Sequence, residues 1–72
     1  MPRLVAPDPS SANAELHVIA DTIDRQRDRV AAIAEPFLGT EREDVVAMVH
    51  EAERQLNIAT RALRRAIKTL ER

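Results

Sequence analysis

Apolar residues recur in two stretches of this chain at alternating intervals of four and three, the spacing that puts a seam along one side of a helix. The first seam runs Ala12, Leu16, Ile19, Ile23, Gln26, Val30, Ile33 and Phe37, with Gln26 as its one polar member. The second runs Val45, Val49, Ala52, Leu56, Ala59, Leu63, Ala66 and Leu70 without interruption. The pattern predicts an all-α fold, an antiparallel two-helix hairpin with one helix over about 12–35 and the other over about 41–71.

The segment between the seams, Ala34 to Asp44, reads as a stop, a turn over 36–40 and a start. Pro36 lacks an amide proton and disfavours helix at the residue before it, so the first helix should end near Ala34 or Glu35. Gly39, the only glycine, supplies the freedom a reversal needs. Thr40 followed three residues later by Glu43 has the form of a capping box, and Glu41, Glu43 and Asp44 place negative charge where the helix dipole favours it. Upstream, residues 1–10 hold three of the four prolines and predict a flexible arm. Ser10 or Ser11 should cap the first helix, with Glu15 near its start.

At 1.5 Å per residue the helices measure about 36 and about 45 Å, and pairing across the turn sets Val30 near Val49, Ile23 near Leu56 and Leu16 near Leu63. Met48, Ala62 and Ala66 widen the second seam on one side and Ile67 on the other, beyond what one facing helix covers. Dimerisation, or a different helical partner, would complete a four-helix bundle. The expected partner interface is Leu16, Ile19, Ile23, Gln26, Val30, Ile33 and Phe37 with Met48, Val49, Leu56, Ile58, Leu63, Ile67 and Leu70. Gln26 would fix register or oligomeric state.

Length and composition sharpen this. Seventy-two residues make one domain at most, near the size at which a single core is barely sufficient without help. Without cysteine, neither disulfides nor thiolate metal sites are available. No charged leader with a long apolar run and no membrane-length apolar stretch occurs, so a soluble, cytoplasmic protein is expected, with no membrane contact. Ten of the eleven basic residues are Arg, which with the many alanines suggests a GC-rich, actinobacterial genome.

A net charge of -1 argues against binding nucleic acid by bulk charge. From Arg54 onward, however, six basic residues stand against Glu71 alone, and Arg61, Arg64, Arg65 and Lys68 are the candidate nucleic-acid contact. No aromatic residue accompanies them for base stacking. His17, Asp21, Asp24 and Asp28 share one side of the first helix in a pattern open to a divalent cation. Ion pairs across the hairpin, such as Asp21 with Arg61, are the expected use of those carboxylates.

Catalytic motifs fail on spacing. "HEAER", His50 to Arg54, has Arg where the zinc-protease helix needs a second His. Carboxylate-bridged di-iron bundles need Glu three residues before His, where this chain has Ala14 and Ala47. No catalytic, cofactor-binding or metal-ligating residue is therefore assigned. Val18 and Ile58 lie off their seams, and would mark a second contact surface if they met at one level of the hairpin's outer side.

Two resemblances add alternatives. The helical hairpin with "FLG", Phe37 to Gly39, at its turn resembles the WXG100 proteins exported by type VII secretion systems, with Phe where that family has Trp. The run "IADTIDRQRDRVAAIAE", Ile19 to Glu35, is similar to the first helix of all-helical chorismate mutases. That resemblance implies a small helical-bundle enzyme with Arg27 as its basic site residue, in a polar pocket around Gln26 and Arg27. The residues themselves favour a non-catalytic interaction module.

Overall fold

The first helix begins at a proline. In the computed structural model, which describes residues 4–72, α1 spans Pro9–Ala34 and α2 spans Glu43–Leu70, with a 3-10 turn over Glu35–Phe37 between them. Residues 1–3 of the expected arm lie outside the described residues. Pro9 suits the first helical position because its missing N–H has no intrahelical partner to lose. The cap is Asp8, whose carboxylate accepts from the Ser10 amide at 3.0 Å, so α1 starts upstream of the expected Ser10–Ala12 boundary. That bond holds the Asp8 carboxyl below its ordinary pKa.

Pro36 ends α1 as its chemistry requires, and the chain tightens into the 3-10 turn closed by the Leu38 amide on the Glu35 carbonyl at 3.2 Å. Gly39 then takes φ +72°, a left-handed conformation open to glycine without cost. The capping residues act one step away from the expected box. Glu43 accepts from the Gly39 amide, and the Thr40 hydroxyl accepts from Arg42 N–H at 3.2 Å. Thr40 also donates to the Phe37 carbonyl at 2.6 Å, which draws its side chain back into the turn and leaves α2 to start at Glu43.

The two helices pack against each other, with no strand among the described residues. Four cross-helix bonds tie them together: Asn13 to Glu71, Arg64 to both Asp21 and Asp24, and Arg27 to Asn57. The Asn13–Glu71 and Arg27–Asn57 bonds, with the buried and half-buried positions alternating along each helix, fit a register in which Leu16 is level with Ile67, Ile23 with Thr60, Val30 with Glu53 and Phe37 with Val46. Pairing Val30 with Val49 would instead set Arg27 beside Ala52, so α2 lies about one helical turn away from the sequence-based pairing.

The seam between the helices also differs from the expected one. The residues driven below a tenth exposure are Ala20, Ala34, Val46, Thr60 and Ile67. None belongs to either expected seam. They extend, at spacings of three and four, the rows Leu16, Ile23, Val30, Phe37 and Val49, Leu56, Leu63, Leu70, which are half-buried. Each helix is thus turned by one residue, and the a and d positions of the hairpin are Asn13, Ala20, Arg27 and Ala34 with Leu16, Ile23, Val30 and Phe37 on α1. On α2 they are Val46, Glu53, Thr60 and Ile67 with Val49, Leu56, Leu63 and Leu70.

With the extended residues 4–8 included, the described residues measure 62 × 23 × 15 Å with a radius of gyration of 17.6 Å, where a compact domain of this length has about 11 Å. The hairpin is a flat layer one helix thick.

A candidate helical interaction face

In an antiparallel helix pair the a rows of both helices border one face of the layer and the d rows border the other. The polar cross-helix bonds place the a side. Asp24, Arg27, Asn57 and Arg64 form one chain of contacts there: Arg27 bonds Asn57 and, at 3.2 Å, Asp24, while Arg64 bonds Asp24 at 2.9 Å and Asp21 at 3.5 Å. The two carboxylates raise the Arg64 pKa further above its ordinary value, the Asp24 bond contributing most. The ion pair across the hairpin therefore uses Arg64, not Arg61, because Arg64 lies beside the seam and Arg61 does not.

The opposite face is built from the d rows and the g positions beyond them. On α1 the g row is Ala12, Ile19, Gln26 and Ile33; on α2 it is Val45, Ala52, Ala59 and Ala66. With the d rows these are the two seams of the apolar pattern, and they lie side by side on one surface. The d rows and Val45 are half-buried by the hairpin and the rest of the g rows are open: Ile19 is 44% exposed, Ile33 57%, and Met48 at the rim 70%. The face holds no charged residue, and Gln26 is its single polar one.

The two flanking rows differ in polarity. The a rows, covered within the hairpin, include Asn13, Arg27, Glu53 and Thr60; the g rows, left open, include only Gln26 as a polar member. The hairpin buries its more polar seam and exposes its more apolar one. Its buried core is Ala20, Ala34, Val46 and Ile67, and no large side chain among the described residues is fully enclosed. Such a core offsets little of the conformational entropy of ordering two long helices.

Most of the expected interface residues share this face or its edge, from Leu16 to Phe37 on α1 and from Met48 to Leu70 on α2. Two do not. Ile67 is buried between the helices, and Ile58 lies on the back of α2, pointing away from α1. Val18 occupies the corresponding back position of α1, so Val18 and Ile58 stand on opposite edges and form no common patch.

Gln26 and Arg27 are likewise separated, Gln26 exposed on the apolar face and Arg27 half-buried on the polar one. The polar residue at mid-height of α1 that meets the other helix is Arg27, where the sequence suggested Gln26. Thr60 was not singled out by the sequence; its buried hydroxyl has no hydrogen-bond partner among the described residues. Asp21, Asp24 and Asp28 face arginines within ion-pair distance, and no group of three or more His, Asp or Glu converges among the described residues. Arg61, Arg64, Arg65 and Lys68 line one shallow depression on the polar side.

No helix among the described residues is long and apolar enough to cross a membrane. No protein-family model matches the chain, and neither the curated proteins nor the solved structures compared with it yield a match.

Proposed function

We propose that this chain is a small non-catalytic assembly module. Its uncharged d/g face docks on a complementary helical surface, a second copy or another helical protein, and completes a four-helix bundle. The observation that carries the reading is the inversion of polarity between the two seams. A chain selected to stand alone as a hairpin would bury Ile19 and Ile33 and leave Arg27 and Glu53 in water; this one does the reverse.

If folding requires the face to be covered, folding and association are one equilibrium, and the melting midpoint rises with protein concentration. Far-UV circular dichroism melts across a hundredfold concentration range test this. A rising midpoint supports the module, and a midpoint independent of concentration with a sharp transition contradicts it.

A second reading rests on the depression lined by Arg61, Arg64, Arg65 and Lys68, whose spacing follows a phosphate backbone. It predicts salt-sensitive binding of nucleic acid that Arg61→Glu and Lys68→Glu abolish. Absence of binding at low salt removes it.

A further inference from the structure

We infer that the occupant of the d/g face is a second copy of this chain, packed so that α1 of each hairpin lies against α2 of the other. The twofold axis then runs parallel to the helices. The inference rests on the assembly-module reading and adds the identity and orientation of the partner.

Length and register both match. The open seam of α1 runs from Ala12 to Phe37 and that of α2 from Val45 to Leu70, the same number of residues with the same alternation of spacings. An axis parallel to the helices leaves every residue at its own height, so α1 meets the other copy's α2 in the register the hairpin already has. Within the hairpin Leu16 is level with Ile67. Across the axis it comes level with Ala66, one residue away, and in the same way Ile23 meets Ala59, Val30 meets Ala52 and Phe37 meets Val45. The intervening layers pair Ile19 with Leu63 and Ile33 with Val49. Two seams that are redundant within one chain interlock without sliding when a second copy is added.

Side-chain size selects the orientation. The g row of α1 carries Ile19, Gln26 and Ile33, whereas that of α2 carries Ala52, Ala59 and Ala66. Packing α1 on α2 puts large and small rows at every interface between copies, which gives even helix spacing. The alternative twofold, with α1 on α1 and α2 on α2, crowds the large rows at one interface and the alanines at the other. Gln26 is level with Leu56 of the second copy, next to Gln55 on the rim, so its amide has an amide to bond.

Area and charge allow it. A folded protein of 8.1 kDa exposes about 4,500 Å² by the usual scaling. This chain exposes 5943 Å², an excess of about 1,400 Å², part of it on the extended residues 4–8. A standard interface removes about 800 Å² from each partner. The d and g rows have no charge to desolvate or repel, Glu15 and Arg29 standing only at the α1 rim, and isologous twofold pairing is the commonest form of self-association.

The chain has no cysteine, so introduced thiols report the geometry without background. Ala59→Cys changes an exposed g position and Ile23→Cys the half-buried d position level with it. In the proposed arrangement Ile23 neighbours Ala59 of the other copy and neither residue neighbours its own counterpart. A refolded, mildly oxidised mixture of the two single variants forms a disulfide-linked heterodimer, and each variant alone stays unlinked. In the alternative arrangement both residues sit near the axis, and each variant alone forms a homodimeric disulfide. Homodimeric disulfides, with a dimer mass for the reduced variants, overturn the orientation and leave the assembly reading standing. A reduced monomer with little helix overturns the second copy as occupant and leaves that reading to a different partner. A reduced monomer that melts cooperatively overturns both.

Discussion

Arg27 donates one hydrogen bond across the hairpin to the side-chain oxygen of Asn57 and another, at 3.2 Å, to Asp24 on its own helix. This half-buried guanidinium occupies an a position that an aliphatic residue would fill more simply. Arg27→Ala leaves the Asn57 amide and the Asp24 carboxylate without their shared donor and lowers stability by about 1–2 kcal/mol. Because the two side chains act as a pair, Arg27→Ala and Asn57→Ala combined cost less than their sum, with a coupling of roughly 0.5–1.5 kcal/mol. Denaturant melts of the four proteins at one concentration measure it, and additive losses would show that the bond contributes nothing.

Thr60 places a hydroxyl, 6% exposed and unpaired, where α2 meets Ile23 of α1. Thr60→Val keeps the shape, removes the unsatisfied group and raises stability by about 1 kcal/mol. A loss of stability would mean that the hydroxyl turns to the carbonyl four residues earlier, as threonines in helices do.

Gly39 has φ +72°, and a Cβ built there meets nothing within 4 Å. Any penalty for a side chain is therefore backbone strain alone. Gly39→Ala destabilises by about 1 kcal/mol, and Gly39→Asn by less, since Asn tolerates the left-handed region. Thermal melts rank the three proteins, and equal costs for Ala and Asn would contradict the conformational explanation.

Asp8 titrates below its ordinary value of 3.8 because its carboxylate accepts the Ser10 amide. The folded pKa is depressed, so the cap's stabilisation is complete at neutral pH and is lost as pH falls through the lowered value. Exchange of the Ser10 and Ser11 amides should accelerate, relative to a peptide control, in acid. Asp8→Asn should keep the slow exchange while losing this pH dependence, and Asp8→Ala should lose both. Unchanged exchange in Asp8→Ala would place the start of α1 elsewhere.

The helices, the turn and the residues that cap it were legible because each signal is local: Pro36 ends a helix, Gly39 reverses the chain, and Glu43 reaches back to an amide. The choice of seam was not. Each helix carries two overlapping heptads that share a row, Leu16 to Phe37 on α1 and Val49 to Leu70 on α2, and apolar content alone selects the d/g pair. That pair does form one continuous surface, but on the outside of the hairpin. What makes the a rows suitable for the inside is the mutual satisfaction of Asn13, Arg27, Asn57 and Glu71 across the turn. These bonds join residues on different helices, so no spacing along the chain announces them. Gln26 is the visible exception in its seam, whereas Arg27, one residue on, lies outside that seam and shows its role only through Asn57 on the other helix.

If a second copy covers the d/g face, the protein in solution is a dimer whose folding and association are one equilibrium. The mass of the protein in solution, measured by light scattering from about 100 micromolar down to low micromolar, tests it most directly. A mass of twice 8.1 kDa is expected over most of that range, with helix content falling where the mass falls. A single species of 8.1 kDa at every concentration, fully helical and melting cooperatively, would contradict it.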